Sequence, residues 1–271
     1  MLSVEEIAAE AEAVDGAAPV DEATWRTLRH HPERARTYRN GDGFALLVGD
    51  ELSLVVRPEA RGHGVGRALL EQALGEAGRS TLLAWSHADH PAAAVLAAGF
   101  GFEPVRALWV MRRRTSAVLP ELVVPPQVTL RSYRPDDAAE VVRVNAAAFA
   151  AHPEQGGMDA DDLAARMADD WFDPAGLIVA DAGDGRLLGF HWTKRHSPQV
   201  AEVYVVAIDP AAQGQGLGKV LTLAGLHHLA DADEVILYVE SDNAPAIAVY
   251  SGLGFTHAAS DTHVQYRRSA P

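Results

Sequence analysis

Residues 204–222, YVVAIDPAAQGQGLGKVLT, combine the features of a strand, a turn and a helix in one run. The β-branched apolar residues predict a strand, the proline ends it, and glycines then alternate along a loop that opens into an apolar-periodic helix. Glycine has no Cβ, so the backbone N–H groups of the loop and the positive end of the helix can approach an anion. The run therefore predicts a phosphate-binding turn between a strand and a helix.

The same unit occurs a second time, as LSLVVRPEARGHGVGRALL at 52–70. A further similar block follows each copy, AAAVLAAGFGFEPV at 92–105 and APAIAVYSGLGFTHA at 244–258. Matching blocks in the same order indicate two duplicated domains. Three prolines in RRRTSAVLPELVVPPQ mark the expected boundary. The expected division is a domain at 1–115, a linker at 116–127 and a second domain at 128–271.

Two familiar nucleotide-binding loops do not match this spacing. A Walker loop requires a glycine five residues before Gly218 and a serine or threonine after Lys219, where this chain has Gln213 and Val220. The dinucleotide fingerprint is G-x-G-x-x-G, whereas both glycine loops read G-x-G-x-G. ATP and NAD are therefore not expected as ligands.

Composition narrows the class of protein. The 271 residues are 48% hydrophobic, and no apolar run approaches the roughly 18 to 20 residues that span a bilayer. The acidic, amphipathic start MLSVEEIAAEAEAV lacks the basic, apolar and cleavage regions of an export signal, so a cytoplasmic protein is expected. The absence of cysteine excludes disulfides, thiolate metal sites and a cysteine nucleophile.

The net charge of −14 disfavours nucleic acid as a partner. The acidic excess is uneven, because residues 1–125 have a net charge of −4 and residues 126–271 a net charge of −10. The second half would therefore favour a cationic small substrate. The alternative explanation is that the acidic surface only keeps the protein soluble.

Local patterns place one helix in each half. Ser3 and Glu6 predict a capping box for a helix with Ile7, Ala11 and Val14 on its apolar face. In the second half, a helix is expected from about residue 136, with 141, 144, 145 and 148 on one face. Strands alternate with helices after it, which predicts a mixed α/β layout.

The proline and the Q/R-x-x-G-x-G/A loop that opens a helix resemble the acyl-CoA pyrophosphate loop of the GNAT acetyltransferases. Further segments resemble the mycothiol synthases, a family of tandem-GNAT enzymes: VDGAAPV (14–20), NAAAFAAHPEQGG (145–157), WFDPAGLI (171–178), LLGFHWTK (187–194), AEVYVVAIDP (201–210) and LYVESDN (237–243). The resemblance spans nearly the whole chain. It implies an α/β fold with two tandem GNAT domains, each a twisted mixed sheet flanked by helices.

The resemblance also implies a reaction. Acetyl-CoA would acetylate the cysteinyl amine of 1D-myo-inositol 2-(L-cysteinylamino)-2-deoxy-α-D-glucopyranoside, a pseudodisaccharide, by direct transfer in a ternary complex without a metal. Two alternatives stay open: a GNAT enzyme for another small-molecule or peptide amine, and a non-catalytic acyl-CoA-binding sensor. We expect a monomer that has this small molecule as its partner, and neither nucleic acid nor a membrane.

Two residues of the second half are the expected catalytic groups. An α-amino group has a pKa of about 7.7 to 8.0, so a base need remove only one accessible proton near neutrality. Glu202, on the strand before the glycine loop, is the proposed base. Tyr250 lies where GNAT enzymes have a tyrosine near the CoA sulfur, and it is the proposed acid. Ala97 aligns with Tyr250, so the first domain is expected to bind CoA without catalysing the reaction.

The resemblance implies substrate contacts from Glu22, Glu154, Lys194, Glu202 and Tyr238. It implies CoA contacts in the second half from Val206, Ala207, Ile208, Gln213, Gly214, Gln215, Gly216, Leu217, Gly218, Lys219, Asn243, Ala244, Pro245, Ala246, Ile247 and Ala248. The corresponding residues of the first half are Leu54, Val55, Val56, Gly62, His63, Gly64, Val65, Gly66 and Arg67. Adjacent histidines, at 30–31 and 227–228, point about 100° apart if they lie on a helix, so no metal site is expected.

Overall fold

The computed structural model describes residues 2–78, 80–150 and 153–270, without the side chains of 153 and 154. Two compact units are present. Unit 1 consists of Met1–Trp109 together with Ala258–Pro271, and unit 2 of Val110–His257. The last residues of the chain thus fold with its first half. The domain and linker boundaries at 1–115, 116–127 and 128–271 stay predictions.

Helices and strands are mixed along both halves of the chain. The first half contains α1 (Val4–Asp15), α2 (Glu22–His30), β1 (Ala35–Arg39), β2 (Gly43–Val48), β3 (Glu51–Val56), α3 (Val65–Ala77), β4 (Leu82–Ser86), α4 (Pro91–Gly99) and β5 (Glu103–Arg114). The second contains β6 (Thr129–Ser132), α5 (Ala138–Ala148), α6 (Pro153–Gly156), α7 (Ala160–Met167), β7 (Leu177–Asp181), β8 (Leu187–Arg195), β9 (Val200–Ile208), α8 (Leu217–His228), β10 (Glu234–Glu240), α9 (Ala244–Gly252) and β11 (Thr256–Arg268). They alternate singly only after β3 and after β9. Among the described residues, no helix has the length and apolar character needed to cross a membrane.

Unit 1 is built on a mixed sheet with strand order β1-β2-β3-β4-β11. β1 to β3 are antiparallel, β4 and β11 are antiparallel, and β3 and β4 form a parallel ladder that pairs Glu51 with Leu83 and Leu52 with Ala84. The predicted capping box of α1 is confirmed, since Ser3 and Glu6 bond each other's backbone N–H groups. Ile7 and Ala11 are buried as predicted, but Val14 is 67% exposed. The prediction for Val14 is wrong because the last turn of α1 extends beyond the apolar cluster that covers Ile7.

Unit 2 has strand order β5-β10-β9-β8-β7-β6, in which β9 and β10 are parallel and β6 to β9 antiparallel. Helices cover both faces of this sheet. α5 and α7 pack on Phe190 and Trp192, whereas α8 packs on Ala180, on the opposite face of β7 from Val179. Asn145, predicted on the buried face of α5, is fully buried and its amide bonds Gln155 in both directions. The predicted mixed α/β fold is confirmed.

One close contact fixes the distance between α8 and the sheet. A Cβ added to Gly225 on α8 would lie 2.0 Å from the ring of His191 on β8. That ring is fully buried, and its Nδ1 lies 2.9 Å from the backbone oxygen of Leu221, so it has little freedom to move aside. Glycine is therefore required at 225 by packing and not by backbone conformation.

We expect Gly225→Ala to lower the free energy of unfolding by about 1–2 kcal/mol, because overpacking outweighs the gain in helix propensity. Gly75→Ala is the matched control. Gly75 is an exposed residue inside α3 with open space around it, so alanine should raise the same quantity by up to about 1 kcal/mol. Urea denaturation of both variants measures the two effects. A stabilising Gly225→Ala would contradict the packing described for His191.

His191 also makes stability depend on pH. Burial lowers the pKa of its imidazole from the ordinary 6.5 to about 4. The unfolded chain therefore binds a proton below pH 6.5 that the folded chain binds only near pH 4, so stability falls as the pH drops through this interval. The loss should reach about 3 kcal/mol. We expect the slope of unfolding free energy between pH 6.5 and 4 to be smaller in His191→Gln; equal slopes would refute this assignment.

Candidate active site

The two glycine loops have the same backbone conformation. Gly214 and Gly216 have φ values of 78° and 76°, and Gly62 and Gly64 have values of 78° and 84°. The second glycine of each pair is the N-cap residue of the following helix, and no side chain of the described residues caps either helix. The first-turn N–H groups of α3 and α8 are thus suited to an anion, as the sequence predicts. Positive φ, not crowding, requires these glycines, because the space around each Cβ position is open.

Each loop is fixed by an ion pair just before its proline, at residues that the sequence analysis did not single out. In unit 2, Asp209 accepts hydrogen bonds from Arg143 at 2.7 Å and Arg186 at 3.1 Å. The Arg143 guanidinium lowers the pKa of Asp209 to about 2, with further bonds from the Ala211 N–H and Arg186. In unit 1 the aligned residue is Arg57, which bonds Glu10 at 2.7 Å. The charges are reversed, but both turns are anchored.

Unit 1 contains a cleft of about 490 Å³ beside its loop. The predicted CoA residues Leu54 to Val56 and most of 62–67 line it, together with Ala97 and the end of β4. Arg61 is held at its rim by two bonds to Asp15, of 2.6 and 2.7 Å. The arrangement can accept an elongated ligand with its anionic end on the loop and its apolar end near Ala97.

Glu202 lies on β9 of unit 2 and is only 6% exposed. Lys194 is its register partner on β8, and Ile236 its partner on β10. Its Oε2 lies 2.6 Å from Nε2 of His196, the residue that follows β8. The register shifts between Trp192 and Thr193, which leaves Tyr204 as an extra residue of β9. Glu202 is therefore a buried carboxylate beside the irregular part of the sheet.

Lys194 is buried rather than solvated, with 9% of its surface exposed. Its Nζ lies 4.6 Å from the ring centroid of Trp171 and 5.2 Å from that of Tyr204, which are cation–π contacts. Arg166 bonds the Tyr204 hydroxyl at 3.2 Å. Lys194 and Glu202 thus face the same side of the sheet, as the sequence-based assignment to one site requires; contact with a substrate stays a prediction.

Tyr250 lies on α9, the helix that follows β10. It is half-buried, with its ring 6.0 Å from that of Phe255, and burial raises the pKa of its phenol to about 12. Asn243 caps this helix by accepting the N–H of Ala246 at 3.2 Å. In unit 1, Ala97 holds the corresponding place on α4 and is 7% exposed.

Three further residues were predicted to contact the substrate, and the structure gives less information about their side chains. Tyr238 on β10 is 45% exposed, and Glu22 is the first residue of α2 in unit 1. Glu154 lies in α6, but its side chain is outside the described part of the chain. The roles of all the predicted site residues stay predictions. Among the described residues, no group of three or more His, Cys, Asp or Glu side chains is arranged to hold a metal ion, and the expected absence of a metal stays a prediction too.

His196 was missed because its link to Glu202 depends on the length of the turn between β8 and β9. The separation of six residues is not a recognised spacing for a strand or a helix. Asp209 was missed for a similar reason, because its partners Arg143 and Arg186 are distant in sequence. An aspartate before a proline was the only available signal, and it is common in turns.

Comparison with known proteins gives the same reading of the repeats. The acetyltransferase (GNAT) family model matches residues 143–255, and an acetyltransferase (GNAT) domain model matches residues 25–104. A tandem GNAT protein from the clavulanic acid biosynthesis pathway aligns with a TM-score of 0.69, covering 97% of this chain and 93% of its own, at 22% identity. A GCN5-related N-acetyltransferase from Sphaerobacter thermophilus has the same TM-score, with 96% and 90% coverage and 19% identity. At these identities the two structures support the fold alone.

Sequence relatives are more specific. A mycothiol acetyltransferase from a Nocardioides species is 62% identical, covering 99% of this chain and 97% of the relative. The mycothiol acetyltransferase of Nocardia farcinica is 49% identical, with 96% and 91% coverage. The first of these matches covers nearly the whole chain, so it includes residues of both units. The chain therefore belongs to the mycothiol acetyltransferase family of GNAT proteins.

Proposed function

We propose that this protein transfers the acetyl group of acetyl-CoA to the cysteinyl amine of 1D-myo-inositol 2-(L-cysteinylamino)-2-deoxy-α-D-glucopyranoside, giving mycothiol. The observation that carries the proposal is the match, over 99% of the chain, to a relative named mycothiol acetyltransferase. Unit 2 supports it with an anion-binding loop, a buried carboxylate and a protonated tyrosine. The substrate is then a small molecule, and the cosubstrate is acetyl-CoA.

Acetyl transfer from sulfur to nitrogen needs an unprotonated amine. Glu202 accepts a proton from the cysteinyl ammonium, directly or through a water, and the free amine then attacks the thioester carbonyl. The C–N bond forms as the C–S bond breaks, and the departing group is a thiolate. The nitrogen then loses its second proton, which passes directly or through water to replace the proton that the thiolate takes up. Because an α-amino group has a pKa of about 7.7 to 8.0, one carboxylate suffices near neutral pH. No acyl-enzyme is formed, in keeping with the absence of cysteine.

Tyr250 supplies a proton to the departing thiolate. Its raised pKa of about 12 keeps the phenol protonated throughout the neutral range, so the acid form is fully populated. A thiol in water has a pKa of about 8.5, which makes transfer from this phenol unfavourable. The phenol therefore first stabilises the thiolate by a hydrogen bond, and its proton passes to sulfur as the nitrogen gives up its own second proton.

The binding residues divide between the two units. In unit 2, we assign acetyl-CoA to the end of β9, the loop 213–219 and the start of α9, and the pseudodisaccharide to Glu154, Lys194 and Tyr238. In unit 1, the cleft binds CoA without chemistry, because Ala97 has no proton to give. The substrate contact from Glu22, the cytoplasmic location, the monomeric state and the absence of nucleic-acid and membrane partners remain predictions.

One assay separates this function from its alternatives. Initial rates with acetyl-CoA are compared for the cysteinyl-glucosaminyl-inositol, free cysteine and simple amines. We expect kcat/KM to be highest for the pseudodisaccharide. Equal rates for all amines would favour a general N-acetyltransferase, and binding of acetyl-CoA without turnover of any amine would favour a sensor.

Tyr250→Phe should reduce kcat by roughly 10²-fold, the lower range for loss of a general acid, and should leave acetyl-CoA affinity unchanged. Tyr133→Phe is a matched control, since Tyr133 is another half-buried tyrosine of unit 2 with a pKa raised by burial. Steady-state kinetics and calorimetric titration measure the two quantities. An unchanged kcat in Tyr250→Phe would remove the tyrosine from the mechanism.

Two equivalent glycine substitutions test the separate roles of the units. Valine is strongly disfavoured at positive φ, so Gly64→Val and Gly216→Val should each distort one loop. We expect each variant to bind one acetyl-CoA where the unaltered protein binds two, and only Gly216→Val to lose turnover. If turnover collapses in Gly64→Val while the unit 2 site stays occupied, unit 1 is more than a scaffold.

A further inference from the structure

The turn between β8 and β9 holds His196 in a fixed place. The backbone N–H groups of His196 and Ser197 both bond the oxygen of Val200, at 3.0 and 3.2 Å. The Ser197 hydroxyl in turn accepts the N–H groups of Gln199 and Val200, at 3.2 and 3.1 Å. A turn with this many internal bonds leaves the backbone at His196 little freedom, so the direction of its side chain is set by the hairpin.

The side chain of His196 lies beside the carboxylate of Glu202, which is almost completely buried. Nε2 of His196 lies 2.6 Å from Oε2 of Glu202, whose side chain is 8% exposed, whereas that of the histidine is 38% exposed. A separation this short is typical of a charge-assisted hydrogen bond. In this pair, the imidazole of His196 is partly exposed to solvent, and the carboxylate of Glu202, the proposed base, is buried.

We propose that His196 is the positioning residue of Glu202. Its N–H bond holds one carboxylate oxygen, so the other oxygen is directed for accepting the proton of the substrate amine. A positive charge at this distance favours the ionised form of a carboxylate, so the identity of residue 196 bears on the base. The inference rests on the proposed role of Glu202 as base, and His196 itself touches no reacting atom.

The other charged and titratable groups around the pair are engaged with further partners. On β8, Lys194 faces Glu202 but directs its ammonium over Trp171 and Tyr204, and Arg195 pairs with Asp231. On β9, the Tyr204 hydroxyl is bonded by Arg166 of α7. On β10, the neighbour of Glu202 is the uncharged Ile236, and Glu234 pairs with Arg112 and Arg114. The side chain of His196 is therefore the charged or titratable group within hydrogen-bond distance of the Glu202 carboxylate among these described residues.

The test is the pH profile of kcat at saturating substrates. His196→Gln keeps a hydrogen-bond donor but loses the charge, and we expect the acid limb of the profile to move up by about one pH unit. His196→Lys restores a cation and should move the limb back. His196→Ala should lose about tenfold in kcat and recover part of it when free imidazole is added, since the site is open to water. KM for acetyl-CoA should stay unchanged in all three.

The control is His227→Gln, at an exposed histidine of α8, which should leave the profile as it is. Thermal unfolding of every variant separates loss of the fold from loss of positioning. The inference is overturned if His196→Gln keeps the original acid limb and kcat while Glu202→Gln loses turnover. If Glu202→Gln is fully active, the proposed base is wrong and the role of His196 fails with it.

Discussion

Both units depend on one backbone constraint, the turn at which a strand becomes a helix with two glycines at positive φ. In each turn the chain passes through the left-handed region at both glycines, and no side chain of the described residues caps the helix that follows. Glycine enters that region without the penalty that a side chain incurs. The surrounding structure holds this turn on both sides. β3 and β9, which precede the turns, each belong to a parallel pair, and α3 and α8, which follow them, pack on the sheet.

The two copies secure the same turn with opposite charges. In unit 2, Asp209 forms ion pairs with two arginines. In unit 1, Arg57 forms ion pairs with Glu10 and Asp42. What the duplicated turn retains is therefore an ion pair at that point and not a particular residue. The two halves also differ at the helix that follows the next strand, where Tyr250 in unit 2 corresponds to Ala97 in unit 1. Anchoring has been preserved in both copies, while the group able to donate a proton remains in only one.

Sequence reasoning identified the features that are local in the chain. The glycine loops, the strand before them, the capping box at Ser3 and the buried face of α5 follow from spacing over a few residues, and the structure confirms them. Features that depend on register or on distant partners were not predictable. The pairing of Glu202 with His196 requires the length of a turn and the stagger of two strands, and the packing of Gly225 on His191 requires the distance between a helix and a sheet. The exposed side chain of Val14 is a further example. Hydrophobic periodicity identifies the apolar face of a helix, but it does not show at which residue the helix extends beyond the core.

The assignment of residues 258–271 to unit 1 has a consequence for biosynthesis. Unit 2 is one continuous segment, Val110–His257, so all of it is translated before residues 258–271. Unit 1 begins first but lacks the part of β11 that pairs with β4, from Val264–Ser86 to Arg268–Leu82, until residues 264–268 have been translated. The edge of β4 therefore lacks its final partner while the residues between Ser86 and Val264, about two thirds of this sequence, are translated. A chain truncated after His257 would therefore contain the whole segment of unit 2 but an open sheet edge in unit 1.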